Sequence, residues 1–300
     1  MPFLPLLSLL ACATSEPTSS LAASSPEPPL VEPAPSAAPV AAPTLDSLAT
    51  GSFHSLEPGL ELAHFASPTP SLLGDERVTV LRVDPSRFSV EAISASREHP
   101  DLSLDGPGWA ERHGLLAVTN AGMFALDHRT ATFALIDQGH ENNPTLAPNA
   151  GSALLLEPTD TARPSAALLD LRCDDVDGQR ALYTSLVQSY RLLTCDGAPA
   201  WQPSHKIWSH ALLGADHSGN ILFIHARSPW STRQFTEILL SLPLDLARLH
   251  YAEGGPEATL FLRHGEGELL QVGSYETGFN EDDRNHRAWD IPNVIGVRRR

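Results

Sequence analysis

The chain has 300 residues, 42% of them hydrophobic, and a formal net charge of −16 from 20 Lys and Arg against 36 Asp and Glu. That length and apolar content suffice for a sizeable core, and the acidic balance, with no basic patch interleaved with aromatics, excludes polyanionic partners such as nucleic acid. Glu16, Glu27, Glu32 and Asp46 carry four of those charges in a stretch without a single Lys or Arg, which leaves −12 for the remainder.

Met1 to Ala11 is an apolar run too short to span a bilayer as a helix. It ends in Leu9-Leu10-Ala11-Cys12, which resembles a bacterial lipoprotein signal with Cys12 as the lipidated residue. The run lacks the basic start of a secretory signal, and the other reading is a buried cysteine on a hydrophobic start. Residues 13–47, rich in Ala, Ser, Thr and Pro, lack the apolar surface to offset their ordering entropy and read as a disordered tether. The expected organisation is a signal over 1–12, a tether over 13–47 and one domain over 48–300, exported and held to the cell envelope, with the membrane met only through the lipid anchor. With Cys12 assigned to lipid, Cys173 and Cys195 remain, and in an exported protein they would pair. Closing a loop of roughly twenty residues adds about 3 kcal/mol in the chain-entropy model. In a reducing compartment they would instead be free buried thiols.

The domain reads mostly as strands. Val78 to Val83 and Phe88 to Ile93 are β-branched or aromatic runs around the turn signal Asp84-Pro85-Ser86. Asp105 precedes a short capped helix ending near Gly114, and the strand Leu115 to Thr119 leads into Asn120. Further strands are expected over Ala153 to Leu156, Ala166 to Leu171, Leu182 to Val187, Ala211 to Gly214 and Ile221 to Ile224, the last two forming a hairpin across Asp216 to Asn220. A helix follows. Ser231 caps it, Gln234 stands three residues on, Phe235, Ile238, Leu239 and Leu242 share one face, and Pro243 stops it. Strand, helix and strand in sequence predict an α+β fold, a mixed and mostly antiparallel sheet core with a few covering helices.

From Arg248 to Leu262 a strand is expected to end at Tyr251, followed by Glu253-Gly254-Gly255-Pro256-Glu257 and a second strand from Ala258. Adjacent glycines permit positive φ and let a ligand approach without meeting a Cβ. Two carboxylates then flank a bare backbone patch; the competing reading is a plain hairpin turn with two solvated glutamates. Val118-Thr-Asn-Ala-Gly-Met-Phe124 is a second strand end interrupted by glycine.

Asn120-Ala-Gly-Met-Phe124, Gln188-Ser189, the Gly214 to Gly219 hairpin, the Ser231 helix, Glu253-Gly-Gly-Pro256 and Asn293-Val-Ile-Gly-Val297 are colinear with the motifs of the phosphodiester glycosidase family, which the chain resembles over roughly residues 50 to 300. Two departures stand out. The family's Leu-Asp-Gly-Gly-Pro-Ser is Ala252-Glu253-Gly254-Gly255-Pro256-Glu257 here, and His210 stands near the place of a frequent arginine. The resemblance implies an exported hydrolase cleaving a sugar 1-phosphodiester of an envelope or extracellular glycan; the alternative is a non-catalytic glycan-binding lipoprotein on the same fold.

Cleavage at C1 passes through an oxocarbenium-like state and needs a carboxylate as base or nucleophile. The phosphate leaving group departs easily and calls for cationic or amide donors. Glu253 is the expected catalytic carboxylate, with Asn120 beside it as a donor. Gly122, Gly254, Gly255, Glu257 and Ser189 are expected at the substrate, and Arg191, Lys206 and His210 as its phosphate partners. No HExxH, CxxC or calcium-loop spacing occurs, so no cofactor is expected, although the acid-rich stretch from Phe279 to Asp290 offers ligands for a divalent cation.

Overall fold

The computed structural model describes residues 44–99 and 102–300. The expected signal, with Cys12, and nearly all of the expected tether lie outside the described residues. Leu45–Ser47 form a 3-10 turn whose Leu45 is buried against the core, and His64 Nε2 is hydrogen-bonded to the Leu45 carbonyl at 2.9 Å. The packed chain therefore includes residues ahead of the expected boundary at 48.

In chain order the elements are β1 (Phe53–Glu57), β2 (Leu60–Ala66), β3 (Arg77–Val83), β4 (Phe88–Ser94), α1 (Ala95–Glu98), α2 (Gly106–His113), β5 (Ala117–Asn120), β6 (Leu135–Asp137), β7 (His140–Asn143), β8 (Gly151–Pro158), β9 (Ala166–Asp170), α3 (Val176–Arg180), β10 (Tyr183–Tyr190), β11 (Trp208–Asp216), β12 (Ile221–Trp230), α4 (Thr232–Ser241), β13 (Leu246–Gly254), β14 (Thr259–His264), β15 (Gly267–Val272) and β16 (Asn293–Arg299). They make three sheets, ordered β1-β2-β3-β12-β11-β13, β7-β6-β10-β8-β9 and β15-β14-β5-β16-β4. Neighbouring strands within them run antiparallel, which gives the expected α+β fold.

Alternation along the strands explains why many are buried on both faces. On β12, Ile221 and Phe223 enter a central core shared by the three sheets, while Leu222 and Ile224 face outward. β8 does the same, with Leu154 and Leu156 inward and Ala153 and Leu155 outward. Helices then cover the outer faces. Phe235, Ile238 and Leu239 of α4 pack on the six-stranded sheet, each worth about 1.5–3 kcal/mol of burial. Trp109 and Ala110 of α2 pack against Val118, Phe261 and Val294 of the third sheet.

Local signals specify both long helices. Asp105 accepts from Gly108 N and α2 stops at Gly114, whose φ is 65°. Ser231 accepts from Gln234 N at 3.3 Å to open α4, which ends just before Leu242 and Pro243. α4 carries the chain from β12 over β11 to β13, so β12 and β13 flank β11 and run parallel to each other. The hairpin at Asp216 is also present, its carboxylate accepting from Ser218 N and Asn220 N. As expected of an oxidised pair, Cys173 and Cys195 form a disulfide.

The glycine stretch differs from expectation. β13 continues past Tyr251 to Gly254, and Gly255–Glu257 form a 3-10 turn. This is no hairpin, because β13 belongs to the first sheet and β14 to the third. The turn instead bridges two sheets at their seam.

Candidate functional site

β13 delivers Glu253 to the end of the first sheet. Opposite β11 the register slips at Ala252, with Ala211 facing Glu253 and Leu212 facing Tyr251; such an irregularity re-aims side chains beside a site. Ala252 enters the central core, while Tyr251 and Glu253 line a cavity of 220 Å³ with Met123, Trp201, Trp208, Gly254 and Glu276. That volume is small beside the roughly 300–1,000 Å³ of pockets for drug-sized ligands.

Both glycines of the motif are required by what surrounds them. A Cβ on Gly254 would collide with the Tyr251 hydroxyl and lie 2.7 Å from Trp208 Cδ1. Gly255 has φ +68°, and a Cβ there would lie 2.6 Å from Glu276 Oε2 and 3.5 Å from Glu257 Oε2. The bare backbone thus lets the Glu257 and Glu276 carboxyl groups come together over Gly255, near enough to Glu253 to act on it. Glu276 arrives from elsewhere in the chain, bridged to Trp208 and to Asn280.

Crowding of acids away from water sets the electrostatics. Burial pushes the half-buried Glu253 carboxyl up to about 8, assisted by Glu257 and Glu276 and opposed by the Gly254 N–H, which donates to Oε1 at 3.0 Å. Burial also raises Glu257, with Glu276 adding to the effect. Glu276 is raised by burial and pulled back by Lys206. The Tyr251 hydroxyl is held well above its usual range by burial and then by Glu253 and Glu276. Trp208 Nε1 lies close enough to that hydroxyl to oppose the shift, yet is buried without the geometry of a formed hydrogen bond. Trp201 stacks on Tyr251 at 5.9 Å and 20°, and Tyr190 meets Trp201 edge-on at 5.4 Å. The result is an aromatic wall lining the cavity together with the Glu253 and Glu276 carboxyl groups.

Other expected site residues lie in different places. Asn120, buried at the end of β5, donates from Nδ2 to the Glu257 carbonyl at 3.0 Å and accepts from Thr259 N at 2.8 Å. Its amide clamps the turn that carries Glu257 in place of serving as a free ligand donor. Gly122 is buried one residue before the cavity-lining Met123. Arg191 is committed to Asp170 at 3.0 Å, 15% exposed and away from the cavity lining. His210 is fully buried and donates from Nε2 to the Trp230 carbonyl at 3.0 Å, which leaves Nδ1 without a partner. It stacks on Phe235 at 4.5 Å, and burial lowers it to about 3. It is therefore a neutral core histidine, not a phosphate-binding cation. Ser189 is buried on β10, with its hydroxyl unbonded and its carbonyl accepting from Ser152 at 3.1 Å. Lys206 is exposed and acts on Glu276.

Sequence reasoning missed Glu276, Trp201, Trp208 and Met123 as site residues. The two tryptophans bracketing Lys206 were a usable signal, as was Tyr251 two residues from Glu253 on one strand. Glu276 carried no local signal. As to metals, among the described residues the one group of three candidate ligands within reach of a shared ion is Asp170, Cys173 and Cys195; both sulfurs are spent in the disulfide, so they do not suit a cation. Larger hollows lie elsewhere, one of 570 Å³ beside Glu91 and Glu157. There Glu91 is tied to Arg298, and no aromatic wall faces the acids.

A family model described as phosphodiester glycosidase matches residues 113–298. Among solved structures, the chain is similar to the catalytic domain of zebrafish N-acetylglucosamine-1-phosphodiester alpha-N-acetylglucosaminidase auto-inhibited by its pro-peptide, with TM-score 0.55 and 16% identity over 84% of this chain and 87% of that one. A hypothetical protein from Synechocystis matches with TM-score 0.52 and 12% identity over 81% and 62% of the two chains. A protein from Burkholderia pseudomallei, described as a putative exported protein, matches more weakly, with TM-score 0.40 and 11% identity over 74% and 73%. No curated protein matches.

Proposed function

This chain belongs to the phosphodiester glycosidase family, and from that premise we propose that it hydrolyses a sugar 1-phosphodiester at the cavity lined by Glu253 and Glu276, with Glu257 beside it. The observation that carries this reading is that Glu253 and Glu276, from two distant segments, line one small aromatic-walled cavity with Glu257 close enough to raise Glu253 and to sit by Glu276. Aromatic faces suit the apolar side of a sugar ring, and carboxyl groups with unlike environments suit division into acid and base.

The raised pKa reverses the role expected of Glu253. With a carboxyl titrating at about 8, Glu253 holds its proton at neutral pH and serves as acid. Glu257 is the carboxylate. Water adds to C1 and gives its proton to Glu257, the bond from C1 to the phosphate oxygen breaks, and the departing phosphomonoester takes the proton from Glu253. One water is consumed, and a free sugar and a phosphomonoester are released. The Gly254 N–H and the Asn120 clamp orient the two carboxyl groups.

The disulfide and the apolar run ending at Cys12 support export with lipid attachment at Cys12, and an envelope or extracellular glycan as the substrate's source. The test is release of free sugar by the full chain from a panel of sugar 1-phosphodiesters, with and without chelator. Glu253→Gln and Glu257→Gln are expected to lose on the order of 10²–10⁴ in rate. A folded chain that binds a diester without releasing sugar would overturn the hydrolase reading in favour of a glycan-binding lipoprotein.

A further inference from the structure

Lys206 is the only lysine in the 300 residues, and the fold brings it to the acidic cavity. Trp208 and Glu276 face each other in a bridge. On one side of it the segments are tied by Ile207 N donating to Thr277 Oγ1 at 3.0 Å and Thr277 N donating to the Ile207 carbonyl at 3.1 Å, and on the other by Ser209 N donating to the Tyr275 carbonyl at 2.9 Å. Side chains alternate along such a pair, so Lys206 shares a side with Trp208 and Glu276. The antiparallel register sets it across from Gly278, which has no side chain to cover it. The ammonium is exposed and makes no hydrogen bond or ion pair among the described residues, yet it acts on the Glu276 carboxyl. Arg191 and His210, the other two cations expected at the phosphate, are spent elsewhere.

We propose that Lys206 reads the single negative charge of a phosphodiester, while Glu276 near it and Glu257 next to Glu276 exclude the doubly charged monoester of the same sugar. The inference rests on the hydrolase reading for its ligand class. A lysine ammonium is a compact point charge on a flexible stem, suited to following a phosphate at the rim of a cavity. One such cation offsets one anionic charge. A second charge on the ligand would face the two carboxyl groups with nothing left to neutralise it, and like charges a few ångströms apart repel strongly in a desolvated site. The same repulsion would expel the phosphomonoester product, which carries more charge than the diester it came from.

The experiment uses the full chain with hexose 1-(methyl phosphate) diesters and the matching hexose 1-phosphates at pH 7.5, measured both by calorimetric binding and by sugar release. The wild type is expected to bind the diester at least about tenfold tighter than the monoester. Lys206→Gln is expected to weaken the diester by about 10- to 100-fold and to raise its KM with little change in kcat, while Lys206→Arg restores most of the binding. An uncharged nitrophenyl glycoside of the same sugar serves as control, with affinity unaltered by Lys206→Gln. If sugar is released but Lys206→Gln leaves diester affinity and KM unchanged, the proposal fails while the hydrolase reading stands. If nothing is hydrolysed but the diester preference is present and disappears with Lys206→Gln, the hydrolase reading fails and the charge-reading role stands. Absence of diester binding overturns both.

Discussion

Replacing Glu253 with glutamine removes one titrating proton while keeping the shape of the side chain and its acceptor for the Gly254 N–H. In the wild type the folded carboxyl titrates at about 8 against a model value of 4.5. The folded state therefore holds a proton that the unfolded chain releases from pH 4.5 upward. Stability then falls as pH rises between those values and levels off above the higher one. At 1.36 kcal/mol for each pH unit, the full effect is about 5 kcal/mol. Glu253→Gln lacks this loss. It is expected to match the wild type within about 1 kcal/mol at pH 5 and to exceed it by up to about 5 kcal/mol at pH 9. Urea denaturation of both proteins at pH 5, 7 and 9 measures the difference directly. A gap that does not widen with pH, or one that favours the wild type at pH 9, would refute the claim that Glu253 folds as a protonated acid. The same claim predicts catalysis falling above about pH 8 in the wild type, where the acid loses its proton.

Gly255→Ala puts a Cβ at φ +68° and 2.6 Å from Glu276 Oε2; about 1–2 kcal/mol of stability is expected to go to backbone strain, and sugar release to drop as Glu276 is displaced, read by denaturation and assay together. Asn120→Ala leaves the Glu257 carbonyl and Thr259 N without their side-chain partner; a cost of about 1–3 kcal/mol and a lowered kcat are expected, and unchanged kinetics would show that the turn holds without its clamp. Reducing the disulfide, whose cysteines are 22 residues apart, is expected to remove about 3 kcal/mol, seen as a lower thermal midpoint in reductant.

Much of the fold could be read from local pattern, because its causes are local. The α4 cap at Ser231, its apolar face and its stop at Pro243 are neighbours in sequence, as are Asp105 and Gly114 around α2. Strands such as β3, β4 and β12 announced themselves by β-branched and aromatic runs. β1, β2, β6, β7 and β15 did not. They are short or mixed in polarity, such as His140–Asn143, and they exist because a neighbouring strand offers hydrogen bonds.

By itself the sequence determined the family motifs, the adjacent glycines that place Glu253, and a cysteine pair able to close. Tertiary structure alone decided which groups meet there. It carried β13 on to Gly254, past the expected end at Tyr251, and crossed to another sheet, which rules out the competing hairpin reading. It brought Glu276 to Trp208 across 68 positions of chain, buried His210 beneath Phe235, and spent Arg191 on Asp170. The physical reason is that desolvation and charge coupling depend on neighbours in space. A glutamate in a sequence is a carboxylate near 4.5, and only the surrounding carboxyl groups and excluded water make Glu253 an acid that keeps its proton.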